Sequence, residues 1–225
     1  HTEAALKESE ARWQFALDGS GNGVWDWNLE TNEAYFSPQW ASILGYQEDE
    51  ISDQIDEWSS RVHPDDLDDA ENAVKQHLDG ITAHYQSEHR LLCKDGHYKW
   101  VLDRGKVIDW CDDGRPLRMI GTHSDITERK SNEAKIHHLA YHDSLTGLPN
   151  RAYLQEELFF LLSQLKRSNQ NTALLFLDID HFKMVNDSMG HLVGDQMLQQ
   201  VASRLKSSVR DEDFLVRLGG DEFVI

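Results

Sequence analysis

All seven tryptophans of this 225-residue chain, at positions 13, 25, 27, 40, 58, 100 and 110, lie in its first half. An indole ring brings a large apolar surface that must be packed against neighbours. A chain whose bulkiest rings stop at Trp110 has to build its second half around other side chains. Two separate cores follow, and the length suits two small domains of about 100 residues each.

The first half reads as helix, hairpin, helices and sheet. Residues 2–18, with Leu6, Trp13, Phe15 and Leu17 apolar, predict an amphipathic helix. Residues 24–29 alternate like a strand after a Gly-Asn-Gly turn, and residues 33–37 are its hairpin partner. Ser37-Pro38 opens a short helix through Trp40 and Leu44, with Gly45 as its stop. A second helix is expected over residues 65–78, ending at Gly80. Three long strands follow. Residues 84–93 turn at Lys94-Asp95-Gly96 into 97–104, and 106–112 turn at Asp113-Gly114 into 115–126. Asp-Gly between alternating segments is a strong hairpin signal.

The second half changes rhythm. Residues 128–141 are polar except for Ala134, Ile136, Leu139 and Ala140, a narrow stripe suited to a helix that pairs with a second chain, with packing on its own domain as the alternative. Helices are then expected at 151–167 and 194–209, a buried strand at 172–179, and strands at 214–218 and 222–225 around Gly219-Gly220. Strands alternating with helices indicate α/β or α+β architecture.

Charge and apolar content narrow the function. Forty acidic against 22 basic residues leave a formal charge of −18, which repels polymeric phosphates, so no nucleic-acid polymer is expected as a partner. A small phosphate ligand stays open, because a bound cation overrules the net field locally. The apolar runs 158–162 and 173–177 are far shorter than the ~20 residues of a membrane span. A soluble, cytoplasmic chain is expected, or the cytoplasmic part of a longer, membrane-attached protein. Cys93 and Cys111 show no metal-ligand spacing and no disulfide framework, and read as ordinary thiols in a reducing compartment.

Chemistry concentrates late. Leu177-Asp178-Ile179-Asp180 ends an apolar strand with carboxylates at i and i+2, which strand alternation puts on one side. Such a pair repels unless a cation lies between, and hard cations such as Mg²⁺ take carboxylates together with substrate phosphates; solvated acids or helix N-caps are the alternative. In Gly219-Gly220-Asp221-Glu222-Phe223 the glycines permit a tight turn and close ligand approach. Lys183 suits a phosphate, and Asn186 with Asp195 offers an amide and a carboxylate for a guanine edge. Singly, each of these is more often a turn or cap residue.

Taken in order, Asp143-Ser144-Leu145-Thr146-Gly147-Leu148-Pro149-Asn150-Arg151, residues 177–195 and Gly219–Phe223 resemble the signature of GGDEF-domain diguanylate cyclases over about residues 138–225. The resemblance implies condensation of two GTP into cyclic di-GMP with release of pyrophosphate, using Mg²⁺ or Mn²⁺. It further implies that Asp178, the carbonyl of Ile179 and Asp221 hold the metal. On the same resemblance, Asp221 also serves as base toward the 3′-hydroxyl, Glu222 assists at the metal site, and Lys183 stabilises phosphate charge. Asn186, His191 and Asp195, with Phe182, Gly219 and Gly220, form the nucleotide site. Arg210-x-x-Asp213, five residues before the glycine pair, matches the family's inhibitory site for its product. A substantial C-terminal part of that catalytic domain is absent, including basic residues the family uses on phosphates, so this chain by itself is expected to be inactive. The alternative is a receptor that binds cyclic di-GMP without making it.

The first half resembles a PAS sensor domain through Trp25-Asp26-Trp27, Val62-His63-Pro64-Asp65-Asp66, Lys94-Asp95-Gly96, Trp100, Asp113-Gly114, Gly121 and Asp125-Ile126-Thr127. PAS cores hold haem, flavin, small metabolites or nothing, and the ligand stays open here. The expected organisation is an α+β chain. A PAS domain at 7–128, an antiparallel sheet with flanking helices, is followed by a helical linker at 129–141. The N-terminal part of a GGDEF domain, resembling the nucleotidyl cyclase palm, occupies 142–225, and the protein is expected to pair as a homodimer through PAS and linker.

Overall fold

The computed structural model describes residues 19, 21–168, 172–210 and 212–225. The helix expected over 2–18 lies outside the described residues. The chain divides into two compact units, with the boundary between Ser131 and Asn132.

The first unit is built on a five-stranded antiparallel sheet of β1 (Gly23–Asn28), β2 (Ala34–Phe36), β3 (Tyr85–Leu92), β4 (Tyr98–Trp110) and β5 (Pro116–Asp125). Their order is β2-β1-β5-β4-β3. Helices α1 (Pro38–Ile43), α2 (Asp56–Ser59) and α3 (Pro64–Leu78) fill the connection from β2 to β3. The Ser37 hydroxyl caps α1 by accepting from the Trp40 amide, and Pro38 follows at the first helical position. Helix α2 was not expected, since its four residues are too short to carry a period, although its Trp58 is buried.

One tryptophan organises the core. Trp25 faces Gly121 across the β1–β5 register, and Gly121 faces Gly105 on β4. A Cβ on Gly121 would come within 2.2 Å of Trp25 Cζ2 and of the Arg104 carbonyl; one on Gly105 would come within 2.5 Å of the same ring. Glycine inside these strands thus marks a close approach. The absent side chains leave a slot for the indole.

At its polar end, Trp25 Nε1 donates to Asp103 Oδ1 (2.7 Å), and Tyr85 Oη donates to Oδ2 (2.9 Å). Trp40 Nε1 donates to His123 Nδ1 (2.6 Å), so the proton of that ring sits on Nε2. Nε2 lies 2.8 Å from Asp103 Oδ2, close but without the direction of a hydrogen bond. Trp58 Nε1 donates to His89 Nε2 (3.1 Å). Burial pulls His89 down to about 4, which keeps the ring neutral and able to accept.

From β5 the chain enters α4 (Thr127–Tyr141) through an Asp-Ile-Thr corner. There Asp125 Oδ1 accepts from the Thr127 amide (2.9 Å), and the Trp100 amide donates to Thr127 Oγ1 (3.1 Å). Ile136 and Leu139 on this helix are about two-thirds exposed.

The second unit holds α5 (Arg151–Ser168), β6 (Phe176–Asp178), α6 (Phe182–Met189), α7 (His191–Ser208), β7 (Val216–Gly219) and β8 (Glu222–Val224). Its three-stranded antiparallel sheet has the order β6-β8-β7, and its core gathers Leu148, Leu198, Ala202, Leu215 and Phe223. The architecture is α+β. Two expectations are corrected here. The strand expected to be buried over 172–179 is three residues long, and Leu174, Leu175 and Phe176 are 44–69% exposed. It lies at the sheet edge, paired with β8 alone, while α5 packs on β7. Asp180 sits in the turn before α6 rather than on the strand, so alternation does not align it with Asp178. Helix α6 was not expected.

Gly121→Val should destabilise the first unit by about 1–3 kcal/mol through overpacking against Trp25. Urea denaturation followed by tryptophan fluorescence measures it; an unchanged midpoint would mean that the indole has room to move.

Candidate active site

The antiparallel register assembles the acids. Asp178 at the end of β6 stands opposite Glu222 at the start of β8, and Glu222 also pairs with Gly219 on β7. Residues opposite one another in such a ladder have Cα atoms about 5 Å apart. Asp221 is held beside them in the turn, where Gly219 and Gly220 have φ of 139° and 55°. This is backbone that side-chain-bearing residues rarely adopt.

A buried guanidinium fixes that turn. Arg217, 7% exposed, donates from Nε (3.1 Å) and Nη2 (2.6 Å) to the carbonyl of Gly220, and from Nη1 to Asp143 Oδ1 (2.6 Å). Asp143 also accepts from the amide and hydroxyl of Thr146 (2.9 and 2.7 Å). Burial pushes the Asp143 carboxyl up, but the Thr146 and Arg217 hydrogen bonds outweigh it and hold the group below the usual carboxylate range. The loop runs on to Asn150, whose Oδ1 caps α5 by accepting from the Ala152 and Tyr153 amides (2.8 and 3.1 Å). The Arg217 amide donates to the Pro149 carbonyl (2.9 Å). The signature from Asp143 to Arg151 is therefore the scaffold of the turn. Sequence reasoning missed Arg217, because a lone cation between Val216 and Leu218 in a strand carries no signal of its own.

Helices α6 and α7 carry the remaining candidates. Phe182, half-buried, packs against the core of the second unit, and exposed Lys183 lies in the first turn of α6. His181, just before them, has φ 61°, an uncommon conformation for a residue with a side chain. A Cβ on Gly194 would fall 1.9 Å from Asn186 Oδ1, so this glycine lets α7 close on α6 and sets where Asn186 lies. His191 and Asp195 on α7 are exposed. Arg210 and Asp213 close a small turn, the Arg210 amide donating to Asp213 Oδ2 (3.0 Å). The Arg210 guanidinium is 82% exposed, with Glu212 3.7 Å away.

Asp178, Asp221 and the Ile179 carbonyl are all oxygen donors, the set a hard divalent cation takes, so these residues fit such an ion. Among the described residues, two clusters of three side chains bring ligand atoms within 4.8 Å of one another: His89, Asp103 and His123, and Cys93, Asp95 and His97. The acids of the glycine turn are not among them.

In the first unit, Trp25, Trp27, Phe36, Trp58, Tyr85 and His123 help line a cavity of about 30 Å³. That volume holds one or two waters and is too small for haem or flavin. His77 is also unsuited to a haem, because its Nε2 accepts from the Val107 amide (3.1 Å) and its Nδ1 faces the Thr82 carbonyl (2.9 Å). No helix among the described residues is long and apolar enough to cross a membrane.

Residues 140–225 match the family described as diguanylate cyclase, GGDEF domain, and residues 33–123 match the PAS fold. An uncharacterized protein of Sinorhizobium fredii is 37% identical over 98% of this chain and 27% of its own length. The diguanylate cyclase TpbB of Pseudomonas aeruginosa is 42% identical over 43% of this chain and 22% of its own. This chain spans about a quarter of those relatives. A crystal structure of a sensory box histidine kinase/response regulator from Burkholderia thailandensis is 36% identical with a TM-score of 0.51. The match covers 56% of this chain and 92% of that one.

Arg217→Met strands the Asp143 carboxylate and the Gly220 carbonyl. It should cost the second unit about 1–3 kcal/mol, since removing one partner of a partly buried hydrogen-bonded pair leaves the other unsatisfied. Amide hydrogen exchange should speed up across residues 219–222. Protection equal to that of the parent chain would show that the turn holds its shape without the clamp.

Proposed function

This chain belongs to the PAS–GGDEF signalling proteins, a PAS domain followed by a GGDEF domain, and from that premise we propose that its parent is a sensor-regulated diguanylate cyclase. The observation that carries the reading is the register that brings Asp178 opposite Glu222, beside Asp221 in a turn clamped by Arg217. Two GTP are condensed to cyclic di-GMP with release of pyrophosphate.

Asp178, Asp221 and the carbonyl of Ile179 would hold Mg²⁺ or Mn²⁺, and the ion would supply neutralisation of phosphate charge. The Asp221 carboxylate takes the proton of the 3′-hydroxyl, and Glu222 assists at the metal site. Lys183 offsets charge on the phosphates from the first turn of α6. Asn186 and Asp195 present acceptors and a donor to the guanine edge, with His191 alongside, and Phe182 supports the base of the site. Gly219 and Gly220 let the nucleotide approach the backbone. Phosphoryl transfer depends on in-line placement and charge neutralisation, so two domains, each with one GTP, must face each other. The exposed Ile136 and Leu139 on α4 supply the apolar stripe for pairing two copies, and the sensor acts by reorienting that pair. Arg210 and Asp213 bind the product as feedback inhibitor, the open guanidinium clamping a phosphate or guanine edge bidentately. GTP as substrate places the reaction in the cytoplasm.

The test is chromatography of nucleotides after the full-length parent is incubated with GTP and Mg²⁺. Asp221→Ala should lower turnover by about 10²- to 10⁴-fold while sparing the fold; retained turnover removes the assignment of Asp221. Arg210→Ala should relieve inhibition by added product with the initial rate unchanged, and an unaltered inhibition curve leaves that loop without a role. Product binding without any synthesis would favour a receptor instead.

A further inference from the structure

The hairpin joining β3 to β4 gathers a thiol, a carboxylate and an imidazole at positions 93, 95 and 97. Backbone bonds preset it: the Cys93 amide donates to the His97 carbonyl (2.8 Å), and the Gly96 amide donates to the Cys93 carbonyl (3.0 Å). Asp95 Oδ1 accepts from the His97 amide (3.2 Å) and also contacts His97 Nδ1. The Cys93 sulfur, an Asp95 oxygen and a His97 nitrogen lie within 4.8 Å of one another. A groove of about 280 Å³ opens onto them, walled on its other side by residues 42–45 at the end of α1. The two cations on its rim are neutralised, Lys94 by Glu50 (2.5 Å) and Lys99 by Asp125 (3.0 Å).

We propose that Cys93, Asp95 and His97 form a binding site for a borderline divalent metal ion of the Zn²⁺ class, with its fourth position open to the groove. Thiolate and imidazole together select Zn²⁺ or its neighbours in the transition series, whereas Mg²⁺ and Ca²⁺ take oxygen. Tetrahedral bonds of about 2.0–2.3 Å bring ligand atoms to ~3.5 Å from one another. Side-chain rotation within a fixed hairpin covers that distance. Cys93 is 4% exposed, so its sulfur is the innermost of the three donors, and binding displaces the thiol proton.

The other cluster lacks this capacity. His123 Nδ1 is occupied by the Trp40 indole, which leaves Nε2 protonated, and His89 Nε2 accepts from Trp58. A metal ligand needs a free lone pair, its second nitrogen serving as a donor. Among the described residues, the His97 imidazole contacts the Asp95 carboxylate and no indole. Reading the two cysteines for their mutual spacing overlooked this site because Cys93 finds its partners two and four residues on, across a turn. The inference is independent of the cyclase reading.

The test is titration of the full chain with Co²⁺ in excess Mg²⁺, which fills oxygen-only sites and gives no thiolate signal. One equivalent should produce a thiolate-to-cobalt charge-transfer band, removed by Zn²⁺ and unaffected by Cys111→Ser. Cys93→Ser should abolish the band, and His97→Asn, on the exposed hairpin, should weaken Co²⁺ binding at least ~10-fold. Absence of a band in the parent chain, a band surviving Cys93→Ser, or unchanged affinity in folded His97→Asn would overturn the site.

Discussion

The glycine turn at residues 219–220 exists in its observed form because one buried guanidinium joins a partner inside the turn to one distant in sequence. Arg217 bonds the Gly220 carbonyl three residues ahead and the Asp143 carboxylate seventy-four residues behind. Without that bridge, the turn would depend on two glycines in left-handed backbone, the residues that lose most entropy on folding. The same contact fastens the loop from Asp143 to Asn150, which caps α5, to β7. A single charge-assisted cluster therefore connects the entry of the second unit to the turn that carries its acids.

The first unit solves a different problem: how to bury polar atoms among tryptophans. Trp25, Trp40 and Trp58 each point an indole N–H inward, and each finds an acceptor on Asp103, His123 or His89. Burial of an unpaired donor is costly, so these acceptors belong to the packing of the rings as much as the apolar neighbours do. The remaining cavity is small because the rings and their acceptors fill the space that a large cofactor would need.

Much of this was legible beforehand. The hairpins at Asp95-Gly96 and Asp113-Gly114, the cap at Ser37-Pro38 and the helix from Thr127 follow from local turn and capping chemistry, which depends on a few adjacent residues. The candidate acids at 178, 221 and 222 were visible because a glycine pair and a strand end are local patterns too. Asp180 was misplaced because alternation holds only while the strand lasts, and β6 ends at Asp178. The exposure of Leu174, Leu175 and Phe176 was also hidden: an apolar run states what a strand prefers, and only the neighbours decide whether it is covered.

By itself, the sequence determined the division into two cores, the order of most elements and the residue types available for chemistry, since these depend on composition and short-range pattern. Tertiary structure alone decided which of those residues meet. It paired Asp178 with Glu222 through register and brought Asp143 to Arg217 across the unit. It slotted Trp25 over Gly105 and Gly121, and it committed the imidazoles of His89 and His123 to indoles. Such contacts are set by sheet register and steric exclusion between distant segments, and no local pattern encodes either.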